Sequence, residues 1–474
     1  MSDEGLRAAQ RAMRDAHVDP VTVEVFTAYY RQLEAGATGL VPEESIAPLT
    51  DLPRLDAVAV TDDDARAALA RTVLVKLNGG LGTSMGLDRA KSLLPVRDGR
   101  TFLDLVAAQV LAARDRWGAR LPLVFLNSFR THDDTLAALR PYPDLPVGDL
   151  PLDVLQSRVP KLRADDLTPV SWPADPELQW SPPGHGDVYP ALLSAGVLDR
   201  LLDVGFRYAS VSNCDNLGAA PDARIAGWFA ASGAPFAVEL CQRTPMDRKG
   251  GHLARRRADG RLVLREVAQT PPQEVDLFTD ISRHPYFNTN NLWWDLVALR
   301  ATLEERGGVL GLPLIRNVKT VDPTDPTSPQ VIQVESAMGA AVEVFDGATA
   351  IVVDRSRFLP VKTTDDLALL RSDAYEVDAD ARLRLVAGSD GSDEARAPVV
   401  ELSQAYQTIA AFEERFAAGV PSLRRATALR VLGDWTFGRD VAVVGDVTLG
   451  PDGGVVPDGT VLSSTVDSTA LTGR

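Results

Sequence analysis

The sequence predicts an α/β fold: a mixed, mainly parallel sheet with helices on both faces, followed by a C-terminal β-helix. Three observations predict it. Short apolar runs alternate with stretches of helical periodicity along most of the 474 residues, the pattern of strands buried on both faces and joined by crossover helices. The first run, 72–77 (Thr-Val-Leu-Val-Lys-Leu), leads straight into a glycine-rich loop. Near the end of the chain Val431, Phe437, Val443, Leu449, Val455 and Val461 stand six apart, with Gly, Asp and Pro between them. A hexapeptide period marks a β-helix, in which each short strand turns one side chain inward.

In chain order, residues 1–35 read as helical, because Leu6, Ala9, Met13 and then Val23, Phe26, Tyr30, Leu33 recur at helical spacing before Gly36 and Gly39. The proline-containing stretch 37–57 reads as an arm, so 1–57 is one N-terminal segment. The α/β domain spans 58–378. Its strands are 72–77, Leu123–Asn127, Tyr208–Asn213, Phe236–Gln242, 331–335 and 350–353, with helices such as 102–116 and 191–203 between them. A linker and helix occupy 379–424, including an exposed loop at 388–397, and 425–474 holds the β-helix.

Composition removes several function classes. No apolar run approaches the roughly 18–20 residues of a membrane span. A charge of −16 argues against nucleic acid as the main partner. Two cysteines, Cys214 and Cys241, make neither a disulfide scaffold nor a thiolate zinc site. The start, Met1-Ser2-Asp3-Glu4-Gly5, has no basic or apolar leader region, so a cytoplasmic location is expected. Of 49 basic residues only Lys76, Lys91, Lys161, Lys249, Lys319 and Lys362 are lysines. In a chain so biased toward arginine, a retained lysine marks a position suited to a compact point charge, as phosphate sites are.

The loop Lys76-Leu77-Asn78-Gly79-Gly80-Leu81-Gly82-Thr83-Ser84-Met85-Gly86 can bring backbone N–H groups close to phosphate oxygens. Its glycines have the wrong spacing for a G-x-G-x-x-G fingerprint, and no Lys-Ser/Thr directly follows a glycine as in a Walker A loop. It strongly resembles the nucleotide-binding loop of the eukaryotic-type UTP–glucose-1-phosphate uridylyltransferases, with Ala90 before Lys91-Ser92 where that family carries proline. The resemblance continues to about residue 372 through Asn127-Ser128-Phe129, Gln156-Ser157-Arg158, Pro182-Pro183-Gly184-His185-Gly186-Asp187, Ser212 to Gly218, Phe287-Asn288-Thr289-Asn290-Asn291, Val331-Ile332-Gln333 and Arg357 to Thr364.

The resemblance implies a Rossmann-like nucleotidyltransferase sheet and a left-handed β-helix. It also implies uridylyl transfer from UTP to glucose 1-phosphate, giving UDP-glucose and pyrophosphate reversibly, with Mg²⁺ as cofactor. The attacking phosphate is already an anion, so positioning and charge neutralisation suffice. Lys91, Lys362 and Asp215 are the implied catalytic residues, and Asp215 the implied Mg²⁺ ligand. Leu77, Asn78, Gly79, Gly80, Lys91, Gln156, Gly184, Asp215 and Lys362 are implied to bind the nucleotide, with Gln156 offering its amide to the uracil edge. His185, Asn213, Gly251, Asn288 and Asn290 are implied at the sugar phosphate. Lys76 is as consistent with a structural role as with a ligand contact, and Lys161 reads as structural. The open end of the β-helix offers a contact for a homo-oligomer. Two rivals remain: a uridylyltransferase for N-acetylhexosamine 1-phosphate or for several sugar 1-phosphates, and a nucleotide-sugar sensor without turnover.

Overall fold

A computed structural model of the chain describes residues 3–244, 247–386 and 396–463. Most of the loop expected at 388–397 lies outside the described residues.

Seven strands form the central sheet: β1 (Thr72–Asn78), β2 (Leu123–Asn127), β3 (Asp153–Leu155), β4 (Tyr208–Asn213), β5 (Phe236–Gln242), β6 (Tyr286–Asp295) and β7 (Thr349–Val352). Their spatial order is β7-β5-β6-β4-β1-β2-β3. All neighbours are parallel except β6, which runs antiparallel to both β4 and β5. Alternate residues of one strand enter different cores. Val73 and Val75 join one, Leu74 the other, and Trp294 and Trp293 divide in the same way. This division is why the strands read as continuous apolar runs. On one face lie helices Asp3–Asp15, Pro20–Glu34 and Leu296–Glu305, and on the other Asp62–Leu69, Phe102–Trp117 and Ala223–Ser232.

Local chemistry sets the element ends. Thr101 and Asp104 form a capping box on Phe102–Trp117, and Gly118 closes that helix at φ 63°. The helix expected over 191–203 is two helices, Val188–Ser194 and Val197–Asp203, because Gly196 takes φ 65° between them. The strand expected at 331–335 exists as Gln330–Glu335, but it pairs with Ile315–Thr320 and Leu162–Arg163 in a separate antiparallel sheet.

The C-terminal strands stack in parallel. Val399–Leu402, Ser422–Val431, Ala442–Leu449 and Val461–Leu462 form one sheet, and Trp435–Phe437 pairs with Gly454–Val456 in another. The six-residue period holds for Val431, Phe437, Val443 and Leu449, all buried, and then slips by one. Val456 and Leu462 point inward, while Val455 and Val461 are 63% and 58% exposed. The slip falls at Gly453 and Gly454 (φ 71° and 150°), a backbone path that lodges one extra residue in the turn. Leu423, Val431, Trp435 and Phe437 share a continuous core with helix Phe102–Trp117, so these coils are part of the same packed body.

Candidate functional site

The site forms beyond the C-terminal ends of β1 and β4, the edge at which parallel α/β sheets present ligands. The Asn78 side chain is used inside the protein: its Nδ2 donates to Asn127 Oδ1 at 2.8 Å and to Thr135 Oγ1 at 2.9 Å. Both amide hydrogens of Asn78 are thus engaged inside the protein, and the residue leads from the half-buried Leu77 into the glycine loop. Gly79 lies against Gln156, since a Cβ on Gly79 would stand 2.7 Å from Gln156 Oε1. Gly80 faces open space. Gly82 and Gly86 adopt φ 69° and 73°, which turn the chain back toward Lys91.

Gln156 is held by two bonds: its backbone N–H donates to Asn127 O at 2.6 Å and its Nε2 to Gly184 O at 2.9 Å. Gly184 adopts φ 80°, and a Cβ there would meet Ser336 O at 2.5 Å. Next to it, His185 Nδ1 accepts the Met338 backbone N–H at 3.0 Å, which assigns the ring proton to Nε2. Burial lowers the imidazole pKa to about 4, so the ring is a neutral Nε2–H donor near pH 7.

Asp187 is buried, accepts the Ser157 N–H at 2.6 Å, and has its carboxyl pushed up to about 7 by desolvation. A raised carboxyl stabilises the fold fully below the unfolded value near 3.8 and loses that contribution as pH rises through about 7. Asp187→Asn is therefore expected to flatten the fall in melting temperature between pH 5 and 8. An undiminished fall in the variant would remove Asp187 as its source.

Lys91 and Asp215 meet directly: Nζ donates to Oδ2 at 2.7 Å and also to the Val361 carbonyl. Val361 N–H in turn reaches Asp215 O at 3.3 Å. The segment bearing Lys362 thus lies beside the Asp215 loop. The Lys362 ammonium is exposed, 5.9 Å from the Phe358 ring centroid, while its backbone N–H is fixed on Asp366 Oδ2 at 2.7 Å. No cluster of three or more His, Cys, Asp or Glu side chains suited to a metal occurs among the described residues. One carboxylate, Asp215, beside Lys91 and the Lys362 segment fits Mg²⁺, which takes phosphate oxygens and water for the rest of its shell.

The remaining residues line the other side. In the β5–β6 pairing, Glu239 faces Asn291 while Leu240 faces Asn288, so Thr289 and Asn290 are extra. Asn290 takes φ 60° in this bulge, and its Nδ2 reaches Asn213 Oδ1 at 3.1 Å. Asn288 Oδ1 accepts Asn290 N–H at 2.9 Å, which completes the Asn213–Asn288–Asn290 cluster. Gly251 O accepts Asn288 N–H at 2.7 Å, and a Cβ on Gly251 would stand 2.4 Å from the Glu266 carboxylate. Glu266 therefore lines this side of the site, and it is a residue that the sequence did not single out. Burial raises its pKa, against the opposing pull of Lys362, Asn288 and Arg243. As one of 65 acidic residues, outside any glycine-rich or amide-rich block, it carried no mark in the sequence.

Lys76 lies below the site, buried, with Nζ on Ser212 Oγ and Ala219 O, both at 2.8 Å. Desolvation lowers its pKa to about 8. Lys161 is buried against Val321 O at 3.1 Å.

The family model for UTP–glucose-1-phosphate uridylyltransferase matches residues 23–444. The chain is 38% identical over 430 residues to the UTP–glucose-1-phosphate uridylyltransferase of Solanum tuberosum, covering 90% of this chain and 85% of that protein. The Hordeum vulgare enzyme of the same name is 38% identical over 429 residues, covering 90% and 85%. Among solved structures, a UDP-glucose pyrophosphorylase variant from Leishmania major in complex with UDP-glucose superposes with a TM-score of 0.91 at 42% identity, covering 98% of this chain and 99% of that one. The UDP-glucose phosphorylase of Trypanosoma brucei gives 0.89 at 43% identity, covering 98% and 100%. With the glycine loop, Lys91, Asp215 and the amide cluster assembled at one sheet edge, these matches establish that the chain belongs to the UTP–glucose-1-phosphate uridylyltransferase family.

Proposed function

We propose that the protein forms UDP-glucose and pyrophosphate from UTP and glucose 1-phosphate. The observation that carries this reading is the convergence of Lys91, Asp215 and the Lys362 segment through the 2.7 Å Lys91–Asp215 pair and the two bonds at Val361. A sugar-phosphate oxygen attacks the α-phosphorus of UTP, a new P–O bond forms, and the bond to the β-phosphate breaks as pyrophosphate leaves. No proton has to be removed from the nucleophile. Lys91 exchanges a protein partner for a phosphate oxygen, Lys362 approaches from the opposite segment, and both neutralise charge that builds up in the transition state. Mg²⁺, when bound, supplies further neutralisation, with Asp215 as its protein ligand. Gln156 reads the uracil edge, Gly79, Gly80 and Gly184 let the nucleotide approach the backbone, and the neutral His185 Nε2–H donates to the sugar phosphate. Asn213, Asn288, Asn290 and Glu266 meet the sugar hydroxyls.

In the same reading, 58–378 is the catalytic domain, the C-terminal coils wind left-handed, and the enzyme works in the cytoplasm. Among the described residues the last coil ends on an unpaired edge, which offers a contact for a second copy of the chain.

Glu266→Gln is expected to raise KM for glucose 1-phosphate about tenfold or more while leaving KM for UTP nearly unchanged, because a carboxylate accepts from sugar hydroxyls more strongly than an amide does. Equal effects on both KM values would move Glu266 away from the sugar. Pyrophosphate release from UTP with a panel of sugar 1-phosphates tests the function as a whole. Glucose 1-phosphate is expected to exceed N-acetylglucosamine 1-phosphate by about a hundredfold in kcat/KM. The reverse preference would identify the N-acetylhexosamine rival, and absence of turnover the sensor.

A further inference from the structure

A second polar network lies directly under the site, and none of the roles above uses it. Glu239 on β5 is fully buried, and so is almost all of Arg357. Arg357 Nε donates to Glu239 Oε2 at 3.0 Å and Nη2 to Oε1 at 2.7 Å, a two-pronged pair. Trp293 Nε1 and Asn291 Nδ2, both on β6, donate to the same carboxylate at 2.9 and 3.2 Å, so it is fixed to the neighbouring strand of the sheet. The remaining guanidinium nitrogen faces the Asp215 loop, with Nη1 donating to Ala220 O at 2.6 Å and Gly218 O at 3.3 Å.

The backbone of Arg357 ties the other way. Its carbonyl accepts from Asn216 Nδ2 and Asn291 Nδ2, both at 3.2 Å, and Asn216 Oδ1 accepts the Leu359 N–H at 2.8 Å. The two segments touch so closely that a Cβ on Gly218 would stand 2.5 Å from Ser356 O and 2.7 Å from the Arg357 carbonyl carbon.

We infer that the Arg357–Glu239 pair is a positioning clamp that sets Asp215 and Lys362 relative to each other. The inference rests on the proposed roles of those two residues. Stability alone is a poor explanation of the pair, since a buried ion pair gives little net stability against apolar residues of similar size. Its geometry is specific: one side chain, anchored to the sheet, bonds the loop that follows Asp215, and its own backbone begins the segment that ends at Lys362. Lys76 supports the same loop through Ala219 O. Misplacing reacting groups by about 1 Å is enough to lose roughly 10²-fold in rate.

The test compares the parent with Arg357→Lys, which keeps a charge opposite Glu239 but loses the fork, and with the neutral pair Glu239→Gln/Arg357→Met, which keeps an acceptor for Trp293. Melting curves establish folding, and steady-state kinetics with UTP, Mg²⁺ and glucose 1-phosphate follow. The expected result is a fall in kcat of about 10- to 100-fold in each folded variant, with both KM values within about threefold of the parent. A folded variant with parental kcat, or one whose loss lies in KM, overturns the clamp. If neither variant folds, the pair is a folding element and the positioning role falls. A parent that makes no UDP-glucose overturns the functional reading itself, and the clamp with it.

Discussion

Lys362→Arg is expected to lower kcat by roughly 10²-fold or more, about 3 kcal/mol of transition-state stabilisation. Net charge does not change, so the loss would come from shape. The ammonium is a compact point charge on a flexible stem, exposed beside the Phe358 ring and within electrostatic reach of Glu266. A guanidinium is planar and broad, and it cannot sit between oxygens of UTP and the attacking phosphate without displacing them. Folding is not expected to suffer, because what orders this segment is backbone. The Lys362 and Thr363 N–H groups both donate to Asp366 Oδ2, at 2.7 and 3.0 Å, where helix Thr364–Arg371 begins. Lys362→Ala is expected to be impaired at least as much. Steady-state kinetics with a melting curve decide the matter, and near-parental kcat in Lys362→Arg would defeat the point-charge argument.

Asp215→Asn carries the second large effect. The expected loss in kcat is about 10²- to 10³-fold, with a matching rise in the Mg²⁺ concentration needed for half-maximal rate, since a neutral amide holds Mg²⁺ poorly. The pair it breaks is partly open to solvent, with Lys91 and Asp215 side chains 15% and 23% exposed, and Lys91 keeps Val361 O as a partner. Global stability is therefore expected to change by only about 1 kcal/mol or less. A variant with parental rate and an unaltered Mg²⁺ profile would remove Asp215 from cation binding, and a parent that keeps its activity after chelation would remove the cation itself.

What could be read from the sequence follows from how each element is buried. β1, β2, β4 and β5 are covered on both faces, so an apolar run reports them directly. β6 escaped because its first half carries Asn288, Asn290 and Asn291, and the bulge at Asn290 breaks the alternation that would mark a strand. The C-terminal period was visible as a count of six, but the one-residue slip at Gly453 and Gly454 was not, because a glycine pair does not announce which φ it adopts. In the site, Lys91 and Lys362 stood out against an arginine-rich background, and Gln156, Gly184 and His185 through their blocks. Glu266 and Glu239 had no such contrast. Each shows its neighbours only when the fold sets it against Gly251 or Arg357, residues distant in sequence or without a distinguishing spacing.

The central claim is transfer of the uridylyl group itself. Its most direct measurement follows label in the α-phosphate of UTP during turnover with glucose 1-phosphate. The predicted result is label in UDP-glucose, one pyrophosphate released for each UDP-glucose formed, and no release when the sugar phosphate is omitted. Label appearing in free UMP, or pyrophosphate released without sugar phosphate, would contradict it.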